Sequence, residues 1–377
     1  MPSRAIIVTV KLGIVGDAHL GCTDYTERRR ADFAQAFKNA IETCLAEGVG
    51  ALCLLGDVFD SALMRRNVEA FAGTVREVGP LFDRLRREGV PVLAVAGNHE
   101  FGRGRQAAEL DILETLGFLR VLDGEAHVLD ECAVVGFPYQ PEDQIASLRE
   151  RVSEVARRTR ARSRILLLHN FVRGSKFIPT FVPGQIDPNT AHGFARAFVG
   201  HHHDAEEIGR FVMPGATEVQ DLNEVEREKA VVIYDTASDA ITFRKLPKTR
   251  HVLVLKHDIA EFSDRDQLLY ALSKRLQGVP EGAFVCVRLH GDSGGDPRRS
   301  ITKREVLAFL REMGMSDPFV EIKTKTAVRV ATEAVRGATI DARIHRAFGK
   351  QAPRAQRYLT DCVDEGFPAN LVKGLMQ

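Results

Sequence analysis

Residues 12–19 read Leu12-Gly13-Ile14-Val15-Gly16-Asp17-Ala18-His19, a short apolar run that ends in a glycine and two polar side chains. A short, continuous apolar run is typical of a strand that is buried on both faces of a layered sheet. The glycine removes a side chain where the backbone must turn close to a ligand. Asp17 and His19 follow at the carboxyl end of the predicted strand, where open α/β sheets bind their ligands.

The same pattern recurs further along the chain. Apolar runs end in Gly56-Asp57-Val58-Phe59-Asp60, in Gly97-Asn98-His99-Glu100, in His169 and in Gly200-His201-His202-His203. Helical spacing of apolar residues lies between the early runs, over Asp32–Leu45 and Val68–Leu85. This alternation predicts a layered α/β domain whose polar clusters meet at one end of the sheet. The predicted strands are Leu12–Val15, Ala51–Leu55, Val92–Ala96, Cys132–Val135, Ile165–Leu168, Ala197–Val199, Ala230–Tyr234 and Ile241–Phe243.

The polar clusters are rich in metal-ligand residue types. Mixed Asp, His and Asn ligands are typical of manganese, iron or zinc, more than of calcium or magnesium alone. Two cations about 3.5–4 Å apart need a shared anionic bridge, and together they activate water and clamp phosphate oxygens. We therefore predict a two-metal site, and with one bridging carboxylate each metal receives four ligands from the chain. The candidate ligands are Asp17, His19, Asp57, Asn98, His169, His201 and His203.

The ordered series D-x-H, G-D-x-x-D, G-N-H-E, a lone histidine and G-H-x-H resembles the calcineurin-like metallophosphoesterases. Within that superfamily the chain is most similar to double-strand-break repair nucleases, the SbcD-like subunits of SbcCD-type complexes. The added resemblance lies in Glu27-Arg28-Arg29-Arg30 and in Pro214-Gly215-Ala216-Thr217-Glu218 with Asn223-Glu224. It covers residues 11 to about 250 well and the remainder weakly.

The resemblance implies a role for each candidate residue. It implies that His99 contacts the phosphate without binding metal and assists departure of the leaving oxygen. Asp60 either orients a metal-bound histidine or caps a helix. His202 is expected not to bind metal, because in an extended segment its side chain points to the side opposite those of His201 and His203. The implied ligands of one metal are Asp17, His19 and His203, and those of the other are Asn98, His169 and His201, with Asp57 between them. The candidate DNA contacts are Arg103, Arg105, Arg298 and Arg299; for Arg298 and Arg299 a plain surface role remains equally open.

Composition bounds the class of protein. The chain has 377 residues, 44% hydrophobic and 27% charged, which excludes collagen-like, disordered and disulfide-scaffold proteins. Its net charge of +1 means that any nucleic-acid binding must come from local basic patches. Six scattered cysteines without a C-x-x-C pair indicate reduced thiols. With no leader pattern and no long apolar window, we expect a cytoplasmic protein that does not contact a membrane.

The predicted organisation has three parts. A four-layer metallophosphoesterase domain, two sheets flanked by helices, is predicted over residues 1–248. A small α/β capping and DNA-binding domain follows over 249–332, with strands near His251–Leu255 and Ala283–Leu289. Its helices are predicted near Asp266–Leu276 and Ser300–Glu312. A helical tail over 333–377 carries apolar residues at helical spacing.

The resemblance implies a metal-dependent nuclease in double-strand-break repair. It would be an exonuclease on duplex ends and an endonuclease on single-stranded or hairpin DNA, with two manganese ions; magnesium, iron and zinc remain alternatives. We expect a homodimer whose C-terminal helices bind an SMC-type, SbcC-like ATPase. The alternatives are a phosphoesterase for a small nucleotide or phosphoprotein, and a metal-stabilised structural subunit of a DNA-binding complex.

Overall fold

The computed structural model describes residues 10–60, 67–101, 108–291, 298 and 300–324. The strands and helices predicted for the first 245 residues are present, with bounds that differ by no more than a few residues. In chain order the elements are β1 (Lys11–Val15), α1 (Arg29–Ala46), β2 (Ala51–Leu54), α2 (Val68–Arg87), β3 (Val92–Ala94), α3 (Ala108–Thr115), β4 (Arg120–Val121), β5 (Ala126–Leu129), β6 (Cys132–Gly136), α4 (Ile145–Arg158), β7 (Ser163–His169), β8 (Arg196–Gly200), β9 (Glu206–Ile208), β10 (Phe211–Met213), β11 (Ala230–Asp235), β12 (Ala240–Lys245), β13 (Val252–Asp258), α5 (Arg265–Leu276), β14 (Phe284–Gly291), α6 (Lys303–Glu312) and β15 (Asp317–Thr324).

Most strands belong to two six-stranded sheets. The first has the order β12-β11-β1-β2-β3-β4, and the second has the order β5-β6-β7-β8-β10-β9. Strands β1, β2 and β3 are parallel, with Ile14 opposite Cys53. Strands β7 and β8 are also parallel, with Leu168 opposite Val199. Within each sheet, the strands that carry the polar clusters therefore end on the same side.

The two sheets pack face to face and helices cover their outer faces. Phe198 of β8 meets Tyr234 of β11 between the sheets, with ring centres 5.3 Å apart. Helices α1 and α2 pack on the first sheet, where the rings of Phe37 and Phe82 lie 5.8 Å apart. Helix α4 packs on the second sheet through Val152 and its apolar neighbours. This order of helix, sheet, sheet and helix confirms the predicted four-layer α/β architecture.

The last three strands, β13, β14 and β15, form a separate sheet. The strands and helices predicted over residues 251–312 are thus present. The chain divides into two compact units. The first holds both six-stranded sheets, Ala271–Val287 and Lys303–Glu321, and the second holds Lys256–Tyr270 and the described parts of 288–302 and 322–377. The predicted boundaries near 248 and 332 stay predictions, and the predicted tail lies outside the described residues.

Five cysteines fall within the described ranges. They are Cys22, Cys44, Cys53, Cys132 and Cys286, and all are buried free thiols. They therefore contribute to the apolar interior as small side chains. Among the helices that the structure describes, none combines the length and apolar character needed to cross a bilayer.

Candidate metal centre

The candidate ligands lie together at the carboxyl ends of the parallel strands. Asp17 and His19 follow β1, Asp57 follows β2, Asn98 follows β3, His169 ends β7, and His201 and His203 follow β8. Donor atoms converge in three overlapping groups, each within 4.8 Å: Asp17 with His19 and His203, His19 with Asp57 and His99, and Asp57 with His169 and His201. Residues about 180 positions apart in the sequence are thus brought to one place by the two sheets.

The backbone is strained at three of these positions. The φ angle is +45° at His19, +45° at Asp57 and +81° at His201. The left-handed region costs a residue with a side chain about 1–3 kcal/mol, and such strain collects at functional sites. Hydrogen bonds from backbone N–H groups stabilise this conformation. The N–H of His201 donates to Oδ1 of Asp17 at 2.8 Å. The N–H of His19 donates to the carbonyl of Asp57 at 2.8 Å.

The first donor group consists of Asp17, His19 and His203. Nε2 of His19 lies 3.2 Å from Nε2 of His203. Nδ1 of His203 lies 2.9 Å from Oε1 of Glu224, and Nδ1 of His19 lies 3.3 Å from Nε2 of Gln220. Because each Nδ1 contacts a side chain outside the donor group, the two Nε2 atoms point into the group. The contact of His203 with Glu224 is the usual arrangement of a metal-binding histidine, whose second nitrogen donates to an acceptor. Binding through Nε2 of His19 likewise places the proton on Nδ1, and the Gln220 amide then presents its oxygen to that nitrogen.

The second donor group consists of Asp57, Asn98, His169 and His201. Nε2 of His169 lies 3.3 Å from Oδ2 of Asp57 and 3.1 Å from Oδ1 of Asn98. Its Nδ1 lies 2.6 Å from the carbonyl oxygen of Leu55, which assigns the proton to Nδ1 and directs Nε2 inward. The His201 ring closes the group, with its centre 5.0 Å from that of His169.

Asp57 belongs to both sides of the centre. Its carboxylate is grouped with His169 and His201, and also with His19 and His99. Burial raises the pKa of Asp57, but His169 and His99 outweigh burial and hold the pKa well below its usual range. The side chain is therefore ionised, as a bridge between two cations requires.

The donor set fits two cations. Oδ2 of Asp17 is buried, yet it accepts no hydrogen bond from the part of the chain that the structure describes. Leaving a buried carboxylate oxygen without a partner is costly unless a cation binds it. Burial lowers the pKa of His19 to about 3 and holds that of His201 well below its usual range, so both imidazoles are neutral donors. Carboxylate, imidazole and amide donors together suit manganese, iron or zinc.

His99 lies at the edge of the centre and differs from the buried ligands. Its side chain is 25% exposed, and its Nδ1 lies 3.2 Å from Oδ1 of Asp60. Burial lowers the pKa of His99, but the carboxylates of Asp57 and Asp60 outweigh burial and raise the pKa to about 9. At neutral pH the ring is therefore a cation, the form that a general acid needs. Asp60 therefore orients the His99 ring.

Glu100 joins the loops that follow β2 and β3. Its buried carboxylate accepts hydrogen bonds from the backbone N–H groups of Asp57 at 3.0 Å, Phe59 at 2.9 Å and Gly97 at 2.7 Å. Gly97 lies so close that a Cβ there would be 2.1 Å from Oδ1 of Asp57. The glycine predicted for a close backbone approach is therefore required, and Glu100 keeps both loops in place.

Gln220, Glu224 and Lys229 support the first donor group from the loop after β10 and the chain just beyond it. Nζ of Lys229 lies 2.6 Å from Oε2 of Glu224. Burial raises the pKa of Glu224, but Lys229 and His203 outweigh it and keep the pKa well below its usual range. An ionised Glu224 fixes the orientation of His203. In the sequence, the family resemblance at Pro214-Gly215-Ala216-Thr217-Glu218 and at Asn223-Glu224 points to this loop.

The structure describes some of the predicted DNA contacts and the neighbouring His202. Arg103, Arg105 and Arg299 lie outside the described residues, and Arg298 is exposed in the second compact unit. His202 is buried, with its Nε2 3.6 Å from Oδ2 of Asp204, and it belongs to none of the three donor groups above. That placement agrees with the expectation that His202 does not bind metal.

Comparison with known families agrees with this centre. Residues 10–211, more than half of the chain, match the family described as calcineurin-like phosphoesterase. The chain belongs to the calcineurin-like phosphoesterases. All seven candidate ligands of this phosphoesterase lie within the matched range. The predicted family and the predicted enzyme class, a metal-dependent phosphoesterase, are thereby confirmed.

Several relatives carry the name DNA double-strand break repair protein Mre11. The relative from Halobacterium salinarum is 35% identical over 130 residues, which cover 34% of this chain and 32% of the relative. The relative from Thermoplasma acidophilum is 25% identical over 342 residues, which cover 82% of this chain and 85% of the relative. The phosphoesterase thus spans about a third of the first relative and most of the second, and the resemblance to repair nucleases is confirmed at modest identity. A solved dimetal phosphatase from Danio rerio matches 63% of this chain and 96% of its own, with a TM-score of 0.42 and 13% identity.

Proposed function

We propose that this phosphoesterase hydrolyses DNA phosphodiesters with two manganese ions. The activity would be exonucleolytic on duplex ends and endonucleolytic on single-stranded or hairpin DNA. The observation that carries the proposal is the pair of adjacent donor groups, with Asp57 grouped both with His169 and His201 and with His19 and the cationic His99. The names of the relatives, which are double-strand-break repair proteins, support DNA as the substrate. The proposed ligands are Asp17, His19 and His203 for one ion and Asn98, His169 and His201 for the other.

The proposed chemistry divides between the ions and the chain. When bound, the ions would supply Lewis acidity toward water and neutralise charge on the phosphate oxygens. His99 would contact the phosphate as a cation and donate a proton to the departing 3′-oxygen. Asp60 would keep the ring in place through its contact with Nδ1. A metal site that served structure alone would have no use for such an acid at its edge.

Cleavage of a hairpin-tipped duplex tests the substrate. We expect the purified full chain to release fragments from end-labelled DNA with manganese, less with magnesium, and none with EDTA. The same samples should be tested with bis(p-nitrophenyl) phosphate, which reports on the centre without requiring DNA binding. Turnover of the small phosphodiester without any DNA cleavage would contradict a DNA substrate. It would favour the small-molecule alternative instead.

We further propose that the chain acts as a cytoplasmic homodimer with an SMC-type ATPase. The proposed docking segment is residues 333–377, which the sequence predicts to be helical because Ile340, Ile344 and Phe348 follow helical spacing. The support for this partner is the resemblance to SbcD-like subunits and the apolar spacing itself.

Truncation after about Val335 tests the docking segment. The truncated chain should retain manganese-dependent cleavage, because every proposed ligand precedes residue 204. It should lose binding to the cognate ATPase in a pull-down with the full chain as control. Binding that survives truncation would contradict docking through the tail.

A further inference from the structure

Arg29, the first residue of α1, is 1% exposed. A guanidinium keeps its charge at any ordinary pH, so burying it requires close partners. Nη1 of Arg29 lies 2.7 Å from Oδ2 of Asp32. The rings of Phe33 and Phe284 lie 5.0 and 5.5 Å from the guanidinium carbon. Nη2 donates to the backbone carbonyl of Val219 and lies 3.6 Å from Oε1 of Glu218.

A second arginine, the half-buried Arg250, shares the same carboxylate. Nη2 of Arg250 lies 2.7 Å from Oδ2 of Asp32, and Nη1 of Arg250 lies 2.7 Å from Oδ2 of Asp317 in β15. The hydroxyl of Thr26 also donates to Oδ2 of Asp317, at 3.0 Å. These contacts tie α1 to β15 and need no functional explanation. The contact of Arg29 Nη2 with Glu218 and with the Val219 carbonyl is separate from these and joins α1 to the loop that follows β10.

Val219 and Gln220 share the peptide unit that Arg29 holds. A peptide unit is planar, so fixing its carbonyl also fixes the direction of its N–H. That N–H belongs to Gln220 and donates to Oε2 of Glu224 at 3.4 Å. The side-chain amide of Gln220 lies 3.3 Å from Nδ1 of His19, and it accepts the Nδ1 proton when its oxygen faces that nitrogen. The carbonyl of the Val219–Gln220 peptide is thus bound by Arg29. The N–H of the same peptide faces Glu224, which orients His203 of the first donor group.

We propose that Arg29 is a positioning residue for the first metal ion. It holds the Val219–Gln220 peptide so that Gln220 orients His19, and this proposal rests on the ligand assignment made above. The second donor group has anchors of its own, the carbonyl of Leu55 and the carboxylate of Glu100. Loss of the Arg29 contact should therefore weaken one ion and leave the other unchanged.

Manganese titration of the metal-free full chain tests the proposal. Arg29→Lys keeps the positive charge beside Asp32, but one ammonium group cannot reach both Asp32 and the Val219 carbonyl. Gln220→Ala removes the other end of the link without leaving a buried charge. In calorimetric titration, each variant should bind one ion as the wild type does and the other about 10–100-fold more weakly. Elemental analysis after gel filtration should find one ion retained instead of two.

Arg30→Lys is the matched control, because Arg30 lies in the same turn and pairs with Glu27 near the surface at 3.2 Å. It should bind both ions as the wild type does. The double variant Arg29→Lys/Gln220→Ala should be no weaker than the worse single variant, since both changes break one link. Additive effects, equal weakening of both ions, or an unchanged Arg29→Lys would each overturn the role of Arg29. A wild type that binds no pair of ions would instead overturn the ligand assignment on which it rests.

Discussion

Replacing Asp57 with asparagine is expected to release manganese and to lower DNA cleavage by about 10³-fold or more. The amide keeps the shape of the side chain, and its oxygen still accepts a hydrogen bond from the backbone N–H of His99, whose nitrogen lies 2.8 Å from Oδ1 of Asp57. It removes the one negative charge that lies between the two donor groups. Bound cations contribute several kcal/mol of charge stabilisation in the transition state, and each 1.36 kcal/mol is a factor of ten in rate.

The measurement for Asp57→Asn combines metal content by elemental analysis with the rate of hairpin cleavage. Asp123→Asn is the control, because Asp123 is exposed and pairs with Arg151 at the surface, at 3.3 Å. The control should keep both ions and full activity. An Asp57→Asn protein that retains two ions at wild-type affinity would contradict the bridging position of Asp57.

The strand-end ligands could be predicted because their signal is local. Ile14 and Leu54 are buried in apolar runs, and each run ends at a glycine followed by a polar residue. Parallel pairing then brings Asp17 and Asp57 to the same side of the sheet without further information. A motif that depends on one strand and one turn is readable from the chain itself.

The residues that orient the ligands could not be predicted in the same way. Glu27-Arg28-Arg29-Arg30 has the pattern of a solvated charge run, yet Arg29 is buried and meets Val219, 190 residues away. Gln220 meets His19 across 201 residues. Such contacts depend on how two distant segments pack against each other. The pattern of residues within either segment does not predict that packing.

The short edge strands could not be predicted from the pattern of apolar residues either. Strand β9 reads Glu206-Glu207-Ile208, which has too few apolar residues to predict a strand. It forms because β10 offers a partner, with Phe211 opposite Ile208. Charged residues on an edge strand also discourage pairing with another chain. Tertiary context, rather than local preference, determines this part of the second sheet.

Replacing His99 with alanine is expected to retain both metal ions and to lower DNA cleavage by about 10²–10⁴-fold. The ring is cationic, because Asp57 and Asp60 raise its pKa to about 9 despite burial. Its loss removes a proton donor for the departing 3′-oxygen and a positive charge near the phosphate. Elemental analysis and hairpin cleavage should be measured on the same preparation, with the exposed His192→Ala as the control. The control should behave as the wild type does.

Metal content separates the two roles that the geometry allows for His99. Its ring nitrogen is within reach of His19 and Asp57, so a third histidine ligand is the competing assignment. If His99→Ala loses an ion, His99 is a ligand and the general-acid role is wrong. If both ions remain, the defect lies in the reaction itself.

A second substrate then separates proton donation from phosphate binding. The p-nitrophenolate group of bis(p-nitrophenyl) phosphate departs as an anion and needs no proton, whereas a 3′-alkoxide is a poor leaving group. His99→Ala should therefore slow the small phosphodiester far less than DNA, by a difference that appears in kcat rather than in KM. An equal loss on both substrates would contradict proton donation and leave His99 as a phosphate contact. The pairing with Asp60 favours the first outcome, because a carboxylate on Nδ1 holds the ring in the orientation in which Nε2 carries the transferable proton.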